Sequence, residues 1–144
     1  MRVSPLRILL AEDLEPFREL IMSVLKKIPD VSVVCEVADG FRAVQMAGKL
    51  EPDLILLDID IPELGGIEVA RRIRRVSPNS KILLLAEESS ADVLDALREG
   101  PWGYIIKANI AIELGAAARA ALRDSCYFLG RTTTEASHQR FRRN

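Results

Sequence analysis

Four consecutive apolar residues, Leu54-Ile55-Leu56-Leu57, run straight into an acid, Asp58. An unbroken run of this kind is the pattern of a strand buried on both faces, and such strands belong to parallel sheets covered by helices. A carboxylate at the carboxyl end of a central strand stands where open α/β sheets place their ligands. Pro62 cannot continue a strand ladder, and Gly65-Gly66 permit unusual backbone angles before the next helix. Asp58 is therefore expected to be held from below by the sheet and approached from above by solvent, metal or a phosphoryl group. The alternative is that Asp58 merely terminates a strand.

The rest of the chain repeats the alternation of strand and helix. A short apolar strand over 6–11 ends in Glu12-Asp13. Phe17, Leu20, Ile21, Val24 and Leu25 then recur at helical spacing, with Pro16 tolerated in the first turn. A second strand spans 31–37, and a helix follows through Ala43, Val44, Met46, Ala47 and Leu50. After the central strand comes a basic amphipathic helix over 67–76, then a fourth strand over 81–85. Ser89 or Ser90 can cap a helix built on Val93, Leu94 and Leu97. A fifth strand over 103–106 leads at once to Lys107, and an Ala-rich helix spans 110–122. Five strands alternating with five helices at short connections imply an α/β fold, with a parallel sheet, right-handed crossovers and helices on both faces.

A chain of 144 residues is long enough for one domain with a full core and too short for two ordinary ones. Hydrophobic residues at 49% and charged residues at 28% describe a soluble globular chain. A net charge of -1 gives no electrostatic footprint for nucleic acid. The N-terminus lacks a signal-peptide core and no apolar run reaches membrane-spanning length, so a cytoplasmic location without membrane contact is expected. Cys35 and Cys126 lie far apart and read as reduced thiols rather than a disulfide or metal pair. Beyond Gly130 the segment RTTTEASHQRFRRN is polar, carries four arginines and has no apolar periodicity. The division expected is a domain over 1–129 and a disordered tail or start of a linker over 130–144.

Glu12-Asp13, Asp58 and Lys107 end three different strands. In a parallel sheet all carboxyl ends point one way, so these residues can converge on one edge. Three carboxylates within about 4 Å repel by roughly 4 kcal/mol per pair at an effective dielectric near 20, and a cation must offset that. Lys107 offers one charge, and a hard divalent ion with oxygen ligands would add two more. Mg²⁺ needs few protein ligands and leaves room for phosphate oxygens.

With this set in place, the chain resembles the receiver domain of two-component response regulators over about 6–129. LLAED, DLILLDIDIPELGG, KILLLA and GYIIK stand in the right order. PFREL, ADGFRAV and ALREGPWGYIIK look most like the subfamily whose receivers usually precede a helix-turn-helix DNA-binding domain. No such domain follows here, so the resemblance carries no nucleic-acid binding to these residues. It implies a flavodoxin-like doubly wound sheet of five strands in the order 2-1-3-4-5. It also implies that Asp58 is the phosphoacceptor, attacking a phosphohistidine on a sensor histidine kinase or phosphotransfer protein. Asp13, Asp58 and the backbone carbonyl of Asp60 would bind Mg²⁺, with Glu12 reaching it through water, and Lys107 would pair with a phosphoryl oxygen. Such a carboxylate nucleophile is expected to be ionised at neutral pH without a general base. Beyond transferring its own phosphoryl group, no enzymatic activity is implied.

One position departs from the family. Receivers place Thr or Ser at the end of the fourth strand, and counting from Asp58 puts Ala86 there. Counting back from Lys107 gives Leu85, and neither residue has a hydroxyl. Ser89 lies nearby but reads better as a helix cap. Tyr104 matches the switch aromatic, or is simply a partly buried strand residue. Trp102 is expected at the surface, available to a partner. The face formed by the fourth helix, fifth strand and last helix is the candidate for self-association, because an Ala-rich helix permits close approach. Two other functions compete with the phosphorylated switch. A degenerate receiver would bind its partner without phosphorylation. A phosphatase of the haloacid-dehalogenase type is suggested by Asp58-Ile59-Asp60 alone, but its acidic pair should lie downstream, and no room remains for a cap domain.

Overall fold

The computed structural model describes residues 4–123. Five parallel strands, β1 (Leu6–Ala11), β2 (Val31–Val37), β3 (Leu54–Asp58), β4 (Lys81–Ala86) and β5 (Gly103–Ile106), form one sheet in the order β2-β1-β3-β4-β5. Five helices cover it: α1 (Glu15–Leu25), α2 (Gly40–Leu50), α3 (Gly66–Val76), α4 (Ala91–Leu97) and α5 (Ile110–Leu122). A single 3-10 turn, Lys107–Asn109, joins β5 to α5. This is the doubly wound, flavodoxin-like architecture with β3 at its centre. Cys126 and the arginine-bearing segment over 130–144 lie outside the described residues.

The apolar run of β3 divides between two cores. Ile55 and Leu57 join Ala43 and Ala47 of α2 and Val69, Ala70 and Ile73 of α3 on one face. Leu54 and Leu56 join Ile21 and Leu25 of α1 and Leu114, Ala117, Ala118 and Ala121 of α5 on the other. A strand with a core on each side has no position for a polar residue, so it reads as a run rather than an alternation. α3 is the opposite case. Its apolar residues face the sheet while Arg71 and Arg72 reach Glu68 at 2.5 and 2.8 Å in solvent. Exposed pairs of this kind contribute little to stability.

Register sets the edge on which the site is built. β1 pairs Ala11 with Leu57, and β3 pairs Leu57 with Leu84 and Asp58 with Leu85. β4 pairs Leu84 with Tyr104 and Ala86 with Ile106. Glu12, directly after Ala11, therefore comes level with Asp58 and Ile105, and Lys107 emerges two residues above them. β4 runs one residue further than expected, so Ala86 belongs to the strand.

The loop from β3 to α3 is tightly held. Glu63, Leu64 and Gly65 take φ of 59°, 82° and 78° in succession. Two of these three carry a β-carbon, which makes the conformation costly outside glycine. The Gly40 N–H donates to Pro62 O at 2.8 Å and the Gly66 N–H to Ile59 O at 2.8 Å, closing the loop from both ends. Neither glycine has room for a side chain: a β-carbon would stand 2.1 Å from Glu63 O at Gly40 and 2.6 Å from Ile59 Cα at Gly66. Of the expected Gly65-Gly66 pair, the first supplies the unusual angle and the second the close approach.

Three local expectations change. Ser90, not Ser89, caps α4, accepting from the Val93 N–H at 3.4 Å. Trp102 is half-buried against the α1/α5 core, with Lys81 Nζ 6.0 Å from its ring centre. Most small residues of α5 serve its own fold, since Ala117, Ala118, Ala120 and Ala121 are buried, while Ala111 and Ala116 stay exposed.

Candidate functional site

β1, β3 and the turn after β5 bring Glu12, Asp58 and Lys107 together beneath the surface, at 0%, 1% and 3% exposure. Lys107 Nζ lies 3.1 Å from Glu12 Oε1 and 3.3 Å from Asp58 Oδ1. The Asp60 N–H donates to the same Asp58 Oδ1 at 3.0 Å, so this oxygen meets both donors. The Leu14 N–H donates to Glu12 Oε2 at 3.2 Å. Asp13 is half-exposed at the rim, and Glu12, Asp13 and Asp58 each offer an oxygen within 4.8 Å of the others. The Asp60 side chain points to solvent, leaving its main chain as the part nearest the site.

The donor set fits a hard divalent cation. Glu12, Asp13 and Asp58 gather where the described residues supply a single ammonium, and the buried Glu12 Oε1 meets only that ion pair with Lys107. Oxygen ligands with unspent acceptor capacity and uncompensated charge suit Mg²⁺ rather than a soft metal.

Tyr104 is 2% exposed and belongs to the α2/α3 core together with Ala86. Leu85 faces the opposite core with Ile105 and Leu114. The side chain at position 86 therefore shares the face of Tyr104, whereas that at 85 does not. The Ser89 hydroxyl, free of any capping role, lies 3.4 Å from the Tyr104 hydroxyl.

Three contacts were not legible in the sequence. Phe17, read there as a core position of α1, places its ring 4.6 Å from Lys107 Nζ. Arg18 Nη1 donates to the main-chain oxygens of Glu12 and Asp13 at 3.1 and 3.3 Å, holding the acidic pair from behind. Glu87 Oε2 lies 3.9 Å from Lys107 Nζ. None left a signal in the sequence alone: Glu87 comes beside Lys107 because Ala86 pairs with Ile106.

The family model of the response regulator receiver domain matches residues 8–119. This chain belongs to that family. The receiver is 35% identical over 137 residues to the transcriptional regulatory protein YxjL of Bacillus subtilis, covering 94% of this chain and 62% of that protein. It is 34% identical over 105 residues to the nitrate/nitrite response regulator NarL of Escherichia coli, covering 72% and 49%. The chain thus spans between about half and two thirds of these relatives. Among solved structures it is similar to a LuxR-family response regulator from Aurantimonas, at 29% identity and TM-score 0.81 over 97% of this chain and 99% of that one. It is also similar to the response regulator domain of Thermotoga maritima CheB, at 29% identity and TM-score 0.74, over 83% and 97%.

The electrostatics of the receiver site are unequal. Burial pushes the Asp58 carboxyl up to about 7; the Asp60 N–H opposes this, the Glu12 charge adds to it, and Lys107 opposes it again. Burial also works against the Lys107 ammonium, but the Asp58 and Glu12 charges outweigh it and hold its pKa above the usual value. Without a cation at the site, burial therefore works against the ionised Asp58 that the sequence leads one to expect. Between pH 3.8 and about 7 the folded chain holds a proton on Asp58 that the unfolded chain has released. Stability of the metal-free protein consequently falls as pH rises through that window. Cation binding runs the other way, because the ligand must be deprotonated. Mg²⁺ should bind roughly tenfold more tightly at pH 8 than at pH 6, and Asp58→Asn should abolish most of that difference. Isothermal titration calorimetry at the two pH values checks this; equal affinities for the wild type would contradict it.

Proposed function

We propose that this receiver accepts a phosphoryl group on Asp58 from the phosphohistidine of a sensor histidine kinase or phosphotransfer protein, and that the new charge alters what the domain binds. The observation that carries the reading is the convergence of Glu12, Asp13 and Asp58, two of which, Glu12 and Asp58, pair with the buried Lys107. Asp58 Oδ1 already meets the Asp60 N–H and Lys107, which leaves Oδ2 to attack phosphorus. The P–N bond to the donor imidazole breaks and the nitrogen keeps its electron pair. Asp13, Asp58 and the main-chain carbonyl of Asp60 would hold Mg²⁺, with Glu12 acting through water. When bound, that ion supplies positive charge against which an anionic donor can approach. Lys107 pairs with a phosphoryl oxygen. The protein contributes position and charge rather than a covalent device of its own.

The domain works in the cytoplasm, turns over no separate substrate and does not itself bind nucleic acid. Its relatives include transcriptional regulators longer than this chain, so transcription control through a further part of the full protein is the output we favour. Incubation with Mg²⁺ and a small phosphodonor should add one phosphoryl mass to the wild type and none to Asp58→Ala, read by intact-mass spectrometry. An unlabelled wild type would refute the assignment.

For self-association we propose the face of α4, β5 and α5. The support is the exposed Leu94 at 37% and Ile112 at 63%. Crosslinks in a phosphorylated sample should map to these elements; crosslinks confined to α1 would rule the face out.

Ala86 and the buried Tyr104 favour a second reading, in which partner binding proceeds without phosphorylation. Ala86 cannot make the hydroxyl contact that a phosphorylated state would reward. A hydrogen bond to a charged group contributes roughly 1.5–3 kcal/mol, or about ten- to a hundredfold in a two-state equilibrium. Ala86→Thr should therefore enlarge the response of the region around Tyr104 and α4 to beryllium fluoride, monitored by NMR, while phosphoryl transfer changes little. A full response in the wild type that Thr does not increase would show that another group has replaced the hydroxyl.

A further inference from the structure

The Lys107 ammonium has three carboxylate neighbours, and they differ in where they sit. Glu12 and Asp58 are buried beside it, while Glu87 stands at the mouth with its side chain 61% exposed and Oε2 3.9 Å from Nζ. Register fixes this placement, because Glu87 and Lys107 each follow a residue of the Ala86–Ile106 pair. Ala86 offers no hydroxyl, so Lys107 is the donor that the ends of β4 and β5 present to an arriving phosphoryl oxygen. An anion reaching Nζ must displace the Glu87 carboxylate or crowd against its charge.

We propose that Glu87 is a specificity-determining residue, an acidic gate that disfavours small anionic phosphodonors relative to a protein donor. This rests on the phosphoacceptor reading of Asp58. A donor free in solution meets the repulsion with few contacts to offset it. A protein donor offsets the same repulsion across its interface, and specificity is that difference of free energies.

The test uses acetyl phosphate with Mg²⁺. In that reaction an Asp58 oxygen attacks phosphorus and the P–O bond to the acetyl group breaks. Acetate leaves with the electron pair, and Asp58 is left as the mixed acyl phosphate anhydride. Labelling rates are compared for the wild type, Glu87→Gln, Glu87→Lys and Glu88→Gln, the last removing an exposed acid next door. Glu87→Gln should speed labelling about fivefold at low ionic strength, the factor set by one charge at about 4 Å in water. Glu87→Lys should speed it further, Glu88→Gln should have a clearly smaller effect, and all differences should shrink towards 1 M salt as screening reaches about 3 Å. Equal rates for the wild type and both Glu87 variants would overturn the gate and leave the phosphoacceptor intact. The same rise in Glu88→Gln as in Glu87→Gln would also overturn it, because net charge rather than position would then be responsible. No labelling in any of the four proteins would overturn the gate and the phosphoacceptor reading together.

Discussion

A lysine ammonium almost wholly removed from water must find charge partners, and Lys107 finds them in Glu12 and Asp58. Desolvating any one of the three alone would cost several kcal/mol, and each makes the others tolerable. Because the partners come from β1, β3 and the turn after β5, this one interaction ties the ends of three strands into a common plane. The Phe17 ring above Nζ and the Arg18 guanidinium behind the acidic pair extend the tie into the first turn of α1. The arrangement is deliberately short of positive charge. Glu12, Asp13 and Asp58 together carry more negative charge than the Lys107 ammonium balances, a deficit that a divalent ion or a proton on Asp58 would cover.

That deficit explains why chemistry and conformation can separate in this chain. In the proposed reaction, phosphoryl acceptance would depend on Asp58, the acidic ligand set and Lys107, which meet at the carboxyl edge of the sheet. A conformational response depends on what connects that edge to Tyr104, and here the intervening position is Ala86, which brings bulk but no donor. Tyr104 instead lies buried, with the Ser89 hydroxyl among its neighbours. A site can therefore be chemically complete while its link to the output surface is thin.

The sequence made the fold readable because burial on both faces leaves β3 and β4 no polar positions, so Leu54–Leu57 and Ile82–Leu85 stand out as runs. Helix periodicity located α1, α2, α3 and α5 for the same reason, through Ile21, Ala43, Ile73 and Leu114. The ends of elements were less legible. Ser89 and Ser90 are equal as capping residues by type, and only the path of the backbone selects Ser90. At the site, Glu12, Asp58 and Lys107 were visible because charge at the end of an apolar strand is conspicuous. Glu87 and Arg18 were not, since an acid in a loop and an arginine on a helix are ordinary until register and side-chain reach bring them to the site. The upward pull of burial on the Asp58 carboxyl was also hidden, because it is set by depth and not by residue type.

The main-chain clamp around the β3–α3 loop has a consequence for how such a chain could diverge. At Gly40 and Gly66 the space for even a methyl group is taken by backbone atoms of Glu63 and Ile59, which no rotamer change can move aside. The floor that carries Asp58 and Asp60 thus tolerates a single letter at each of two supports. Glu87, by contrast, is largely exposed and approaches the buried Lys107 only at 3.9 Å. Divergence among descendants of this chain is accordingly channelled to the rim, where reaction rates can drift by modest factors while the scaffold beneath stays fixed.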